Sequence, residues 1–357
     1  MRAYNFSAGP AILPEEVLKE AQAEMLDYQG TGMSIMEMSH RGPEYSAIHA
    51  ETIANIKELL NIPEGYSVLF MTGGASSQFA LIPMNLLGEG QTADYTNSGA
   101  WAAKAIKEAK ALGNVHIAAD CGKEIPTRVP SIDELDLTND AAYLHITTNE
   151  TISGAQWKVF PEHQTLIADM SSDILSRPLD VSKFGMIYAG AQKNLGPAGI
   201  TLVIIKDELA QRCPASVPTI MRYSTFIDNN SLFNTIPTYP VYILCLVTRW
   251  LKAQGGLEGM QQKNEEKAGT LYSAIDASDF YKGTAVKEFR STMNVTFRLP
   301  TEELEATFVA EAAKENLKGL KGHRSVGGIR ASIYNAMPAS GVDALVAFMK
   351  EFEAKHA

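Results

Sequence analysis

The sequence predicts an α/β protein built on a mostly parallel sheet, with a smaller α+β region towards its carboxyl end. Three observations lead there. Apolar runs that read as strands alternate with helix-like stretches from residue 66 to residue 205, the order that places helices on both faces of parallel strands. From about residue 270 the pattern changes to separate strands and helices. At 357 residues the chain exceeds what one small core organises. We therefore expect a large domain over 15–255 and a smaller one formed by 1–14 and 256–357.

The elements follow in order. Residues 1–14 read as irregular, with turn formers in Asn5–Pro10, and Pro14-Glu15-Glu16 opens a helix expected to reach Tyr28. Gly30-Thr31-Gly32 breaks it. Ser39-His40-Arg41-Gly42-Pro43 is a Gly/Pro loop holding a His-Arg pair, either a solvated loop or an anion clamp. Pro43–Leu60 is an amphipathic helix whose apolar face carries Ile48, Ile53, Ile56, Leu59 and Leu60. Tyr66–Met71 is a buried strand. It leads through Thr72-Gly73-Gly74-Ala75-Ser76-Ser77 into a helix over Gln78–Leu87. Small residues between a strand and a helix let backbone N–H groups approach a phosphate, and the helix dipole adds to the attraction. The same turn also serves as plain geometry, and it matches neither the dinucleotide fingerprint nor the P-loop.

Strands are expected at Gln91–Thr96, Val115–Ala118, Tyr143–Thr147, Thr165–Ala168, Met186–Tyr188 and Ile200–Ile205, making seven with the first. Trp101 opens a helix that runs to Ala111, and it either packs or stacks on an aromatic ligand. Residues 119–140 read as polar and irregular, with a helix-like turn at Ile132–Leu135. Thr148–Gly154 reads as a polar loop carrying Thr151. Asp169 stands just past the last apolar residue of its strand. There it caps a helix or points into the crevice where open α/β sheets bind ligands. Pro214–Pro240 is rich in Pro, Asn, Ser and Thr, and an apolar helix, Val241–Ala253, follows. A charged helix of about fifteen residues comes after Gly255-Gly256, by its run of helix formers. The last elements are a strand at Met293–Arg298, a helix at Thr301–Glu315, a strand at Gly327–Ser332 and a helix at Val342–Lys355.

Composition narrows the function. The net charge is −10 and the pI near 5.3, which argues against a nucleic-acid surface. An anionic ligand then needs a local cationic cluster. Cys121, Cys213 and Cys245 have no close spacing and read as reduced thiols, and no metal site is expected. The first residues lack the apolar core of a signal peptide and no run is long enough to span a membrane, so the reading is a cytoplasmic protein. Lys193 lies in Met186–Gly199, between two apolar runs and among small residues. A lysine aimed into a pocket there loses its proton more readily, as an amine that forms a Schiff base must.

These landmarks come in an order that resembles the class V aminotransferases, pyridoxal-phosphate enzymes of fold type I. The resemblance runs over the whole chain. It is carried by Asn5–Pro10, Met38–Gly42, Gly73–Phe79, Ala189–Asn194, Phe233–Thr238 (interrupted by Ile236) and Gly327–Asn335. Within the family it points to members that exchange an amino group between L-glutamate and phosphoserine, the keto partner being 3-phosphohydroxypyruvate.

The resemblance implies a role for each landmark. Lys193 would hold pyridoxal 5'-phosphate as a Schiff base and move a proton at the substrate Cα. Asp169 would pair with the pyridine nitrogen. Trp101 would stack on the ring and Thr151 would bond its 3-oxygen. Ala75, Ser76 and Gln192 would hold the phosphate, joined by Asn234 and Thr235 of a neighbouring subunit in a homodimer with shared sites. Arg330 would take the substrate α-carboxylate, and His40, Arg41, His323 and Arg324 the distal anion. Some relatives carry a basic residue where this chain has Ser76-Ser77, which leaves phosphate affinity to the other cations. Three rivals stand beside this reading. An alanine–glyoxylate type enzyme needs no paired His-Arg loops. A cysteine desulfurase needs a mobile catalytic cysteine. A non-catalytic protein on the same fold has no use for Lys193 with Asp169.

Overall fold

The computed structural model describes residues 2–122 and 127–357, so part of the stretch 119–140 lies outside it. Tyr4–Asn5 (β1) is a short strand where an irregular segment was expected. Glu15–Ala23 (α1) follows Pro14, with Glu15 and Glu16 in its first turn facing the positive helix end. It stops before the expected Tyr28. That residue turns into the core, its ring edge-on to Tyr242 at 5.8 Å and its N–H bonded to the Met33 carbonyl at 3.0 Å. Pro43–Leu59 (α2) has proline in its first turn, where the missing N–H costs nothing.

Tyr66–Met71 (β2) leads to Gly74–Leu86 (α3). That helix begins at Gly74 rather than Gln78, because Gly73 caps it at φ +93°. A Cβ on Gly73 would overlap the Ser77 hydroxyl, which bonds the Gly73 carbonyl at 3.1 Å. Thr92–Asn97 (β3), Ala100–Lys110 (α4), Asn114–Asp120 (β4) and Leu144–Thr147 (β5) come next. Residues 148–154 are not an open polar loop. They are buried, and Asn149–Glu150 (β6) pairs antiparallel with Ala155–Gln156 (β7). The Thr148 N–H bonds the Asp169 carbonyl at 3.0 Å and the Trp157 N–H the Thr148 carbonyl at 2.8 Å, which satisfies the buried backbone.

Leu166–Asp169 (β8), Met186–Gly190 (β9) and Thr201–Lys206 (β10) complete the large sheet, and Asp207–Ala210 (α5) follows. Tyr223–Asp228 (α6) forms inside the stretch rich in Pro, Asn, Ser and Thr. Its start is held by side chains distant in sequence: the Tyr223 N–H bonds Asn85 at 3.2 Å and its hydroxyl bonds Gln78 at 2.8 Å. Thr238–Ala253 (α7) precedes Gly256–Asp276 (α8), which at 21 residues is longer than expected. The remaining elements are Lys282–Gly283 (β11), Asn294–Arg298 (β12), Glu302–Lys314 (α9), Leu317–Lys318 (β13), Ile329–Ser332 (β14) and Ala339–His356 (α10).

Among the described residues the large sheet has seven strands in the order β2-β10-β9-β8-β5-β3-β4. Only β10 runs antiparallel to its neighbours, so the sheet is mostly parallel, as expected. Alternate residues divide between its faces. Phe70, Ile146, Ala168, Ile187 and Leu202 enter the core under α2 and α7. Leu69, Tyr95, Ile167, Tyr188 and Val203 enter the core under α3 and α4. A three-stranded sheet, β11-β12-β14, packs with α8, α9 and α10 in a third core that also takes Phe6 and Ile12 from the amino end. Strands β1 and β13 pair in parallel and tie that end down. No helix among the described residues is long and apolar enough to cross a membrane.

Phe308 sits at the centre of the third core, fully buried. Its ring centroid lies 5.0 Å from Phe348, 5.1 Å from Phe352, 6.0 Å from Phe297 and 6.1 Å from Tyr281. Removing the ring leaves a cavity that its stiff aromatic neighbours cannot close. Phe308→Ala is expected to lower unfolding free energy by about 3–5 kcal/mol in a denaturant titration. A loss below about 1 kcal/mol would show that this core repacks freely.

Candidate active site

The carboxyl ends of β5, β8 and β9 lie side by side, where open α/β sheets leave a crevice. Asp169 is the last residue of β8 and is opposite Tyr188 of β9. Lys193 follows β9 in a turn closed by the Gly196 N–H on the Ala191 carbonyl at 2.8 Å. The amino-terminal segment presses on this turn. The Ala11 N–H bonds the Gln192 carbonyl at 2.9 Å, and Gly9 is so close that a Cβ there would stand 3.3 Å from Lys193 Cγ.

The Lys193 amine is buried. It donates to Thr151 Oγ1 at 2.6 Å and lies 5.6 Å from the centre of the Trp101 ring. Burial pulls its pKa down to about 8, opposed by the carboxylates of Asp169 and Glu150 and reinforced by the charge of Arg330. Burial in turn pushes the Asp169 carboxyl up. The Ser171 N–H, which bonds Oδ1 at 2.9 Å, and the Lys193 charge work against that rise. Glu150 is pushed up to about 7 by burial, opposed by the Ser98 hydroxyl at 3.0 Å and the N–H groups of Ala102 and Trp101.

Arg330, on β14, reaches into the same region. Its guanidinium donates to the Thr151 carbonyl at 3.5 Å, while its Nε is buried without a partner. Trp101 Nε1 is likewise buried and unpartnered. Lys104 also stands over the Trp101 ring, 4.0 Å from its centre. The pKa of His323 is lowered by burial and by the charges of Arg330, Arg324 and Lys104, so these four side chains share one region. Ala75 and Ser76 occupy the first turn of α3, where unpaired N–H groups face outward, and Ser76 is exposed.

Arg41 and His40 form a second group. Arg41 is exposed and donates to the Leu232 carbonyl at 3.2 Å, which joins its loop to the one carrying Asn234 and Thr235. Asn234 and Thr235 are exposed, and His40 is buried with Nε2 unpartnered. Among the described residues no hydrogen bond, ion pair or cation–ring contact of the chain joins this group to the one around Lys193. Two groups escaped the sequence reading. Lys104 had a signal, its place three residues after Trp101 on one helix face. Glu150 sat in a stretch read as open loop, and only the burial of that stretch reveals it.

The mostly parallel sheet, with buried Asp169 at the end of β8 and buried Lys193 in the turn after β9, has the fold-type-I architecture. The chain matches the family model "Aminotransferase class-V" over residues 3–345. It is 56% identical over 355 residues to a phosphoserine aminotransferase of Niallia circulans, covering 99% of this chain and 98% of the relative. It is 53% identical to one of Geobacillus kaustophilus, over 100% and 99% of the two chains. The solved phosphoserine aminotransferase of Bacillus circulans subsp. alkalophilus superposes with a TM-score of 0.98 at 55% identity, over 100% and 99% of the chains. A pyridoxal-phosphate-bound phosphoserine aminotransferase of Trichomonas vaginalis gives 0.94 at 41% identity, over 98% and 100%. The chain belongs to the class V aminotransferase family.

The depressed Lys193 pKa has a direct readout in the ligand-free protein. Only the neutral amine attacks an aldehyde, so labelling with a small aldehyde and cyanoborohydride should rise as the proton leaves, around pH 8. Peptide mapping from pH 6 to pH 11 is expected to find Lys193 modified ahead of exposed lysines, which wait for about pH 10. Labelling of Lys193 only at that higher pH would contradict the burial argument.

Proposed function

We propose that this chain is a phosphoserine aminotransferase. It transfers an amino group reversibly between L-glutamate and 3-phosphohydroxypyruvate, giving O-phospho-L-serine and 2-oxoglutarate, as a step of serine biosynthesis. The observation that carries the chemistry is the buried Lys193 amine held between Asp169, Thr151 and Trp101. The substrate assignment is supported by identity of 53–56% to phosphoserine aminotransferases over the full chain.

The residues fit pyridoxal phosphate. Two orphaned buried donors, Trp101 Nε1 and Arg330 Nε, border the lysine, and the first turn of α3 offers free N–H groups beside the uncrowded Gly74. When bound, the cofactor supplies an electron sink for charge developing at the substrate Cα. Asp169 would hold the proton on the pyridine nitrogen, Trp101 would cover the ring and Thr151 would bond its 3-oxygen. Ala75, Ser76 and Gln192 would hold the phosphate, with Asn234 and Thr235 from a second copy. Lys193, whose burial favours the neutral amine, would take the proton from Cα and return it. Arg330 orients the α-carboxylate with its planar pair of donors. His40, Arg41, His323 and Arg324 hold the distal phosphate or γ-carboxylate.

A cytoplasmic homodimer and the division into 15–255 and 1–14 with 256–357 belong to the same proposal. The exposure of Asn234 and Thr235, away from Lys193, supports the dimer; the separate core around Phe308, with Phe6 and Ile12, supports the division. The thiols of Cys121 and Cys213 are pushed up by burial, the reverse of what a desulfurase nucleophile requires.

Purified protein is expected to carry a visible absorption band that Lys193→Ala abolishes. Colourless protein that takes up no pyridoxal phosphate would refute the enzyme. The substrate panel compares phosphoserine, alanine and the longer keto acid 3-hydroxy-2-oxo-4-phosphooxybutanoate, which carries the same two anions. Arg41→Ala is expected to lower kcat/KM for phosphoserine about 10- to 100-fold, the worth of a charge-assisted hydrogen bond, and to leave alanine little changed. Equal losses for both would remove Arg41 from the distal-anion site.

A further inference from the structure

Two of the sequence stretches that mark the family end in an asparagine with no part in the chemistry above: Asn194, beside Lys193, and Asn335, five residues after Arg330. In the fold they meet. The Asn335 N–H donates to Asn194 Oδ1 at 3.1 Å. Asn194 Nδ2 donates to the Ile174 carbonyl at 3.1 Å and to the Met293 sulfur at 3.5 Å. Asn335 Nδ2 donates to the Leu175 carbonyl at 2.8 Å, and its Oδ1 accepts from Asn264 Nδ2 at 2.8 Å. Asn264, on α8, also reaches the Ser176 carbonyl at 3.0 Å.

One turn along α8, Lys267 donates to the carbonyls of Ile333 at 3.0 Å, Tyr334 at 2.8 Å and Asn335 at 3.5 Å. Among the described residues its bonds go to backbone carbonyls and not to a carboxylate. All four side chains are buried, at 6%, 1%, 4% and 6% exposure for Asn194, Asn264, Lys267 and Asn335. Only Asn264 Oδ1 lacks a partner among their polar atoms.

Each bonded segment leads to a group of the site. Residues 174–176 leave β8 and Asp169 through a turn in which the Ile174 N–H bonds the Met170 carbonyl at 2.9 Å. Asn194 is joined to Lys193, and residues 333–335 continue β14 and Arg330. A buried amide left without its partner costs about 1–3 kcal/mol, so a cluster in which all polar atoms but Asn264 Oδ1 are partnered holds the three segments in that arrangement. We infer that Asn194 and Asn335, braced by Asn264 and Lys267, are positioning residues: a buried latch that sets the spacing between the Lys193 amine and the Arg330 guanidinium. It thereby sets where a substrate Cα stands relative to the lysine, an inference that rests on the proposed roles of Lys193 and Arg330.

The test uses the holoenzyme with Asn335→Ala and, as a gentler change, Asn264→Ala. Cofactor affinity, kcat and KM for phosphoserine and glutamate, and amide hydrogen exchange are measured for each. Asn335→Ala is expected to keep wild-type cofactor affinity and absorption, yet lose about a hundredfold in kcat/KM for both amino acids, as small misplacements of reacting groups do. Exchange should rise together in 190–197 and in 329–336. Asn264→Ala should give the same pattern, weaker, and the double variant should lose less than the product of the two losses. If Asn335→Ala does not fold, Asn264→Ala carries the test. The latch is overturned if a variant loses thermal stability but keeps wild-type kcat/KM, or if exchange rises in only one of the two segments. A wild-type protein that moves no amino group from phosphoserine overturns the reading of the site, and the latch with it, before any variant is made.

Discussion

The burial of one amine is the constraint that the rest of the structure answers to. A lysine taken out of water at the edge of a sheet is costly in its charged form, and the cost falls as acceptors and opposite charges are placed around it. Here Thr151 accepts from Lys193, and Asp169 and Glu150 oppose the depression of its pKa without cancelling it. That balance needs walls that exclude water and do not move. Strands buried on both faces supply the walls, and the pairing of Asp169 with Tyr188 fixes the register of the two strands. The buried hairpin β6/β7 brings Thr151 and Glu150 in from the side, its backbone satisfied by β8 and by itself.

This also explains what sequence could and could not disclose. Asp169 and Lys193 were legible because each follows an apolar run short enough to be a strand, so periodicity alone placed them at strand ends. Trp101 and the Gly73-Gly74 turn were legible for the same reason. The start of α3 was misplaced by four residues because small residues carry no helical period; the left-handed conformation of Gly73 marks the true boundary. Residues 148–154 looked like a loop because their side chains are polar, yet their partners are polar atoms of β8 and of the 291–296 segment, far along the chain. Glu150 was hidden with them. Helix α6 was unreadable because Asn85 and Gln78, over a hundred residues earlier, hold its first residue.

The cations show a second kind of organisation. The chain carries a net charge of −10, so its field does not gather anions by itself. Arg330, His323, Arg324 and Lys104 share a region near Lys193; burial lowers the pKa of His323 and of Lys193, and the charges of Arg330, Arg324 and Lys104 add to it at His323, that of Arg330 at Lys193. Such a cluster is held together against repulsion by the fold and is relieved when an anion enters. Arg41 stands apart with the Asn234–Thr235 loop, an arrangement that fits the proposed completion of the site by another copy of the chain.

The two groups differ in how firmly they are held, and the difference suits the proposed reaction. Glutamate and phosphoserine share an α-carboxylate but differ in the length and charge of the distal anion. A single rigid seat serves the shared group: the strand of Arg330 is bonded through Asn335 to the turn that carries Lys193. A seat for unlike distal groups has to adjust. Arg41 is exposed and held by one hydrogen bond to a backbone carbonyl, and His323 is only half-buried and bonded to Ser325 in its own loop. Moving either costs about 1 kcal/mol of hydrogen bonding, whereas moving the segment that carries Arg330 would break the buried bonds of Asn335 together. In the proposed reaction the geometry of proton transfer at Cα would thereby be kept separate from the recognition of what lies at the far end of the substrate.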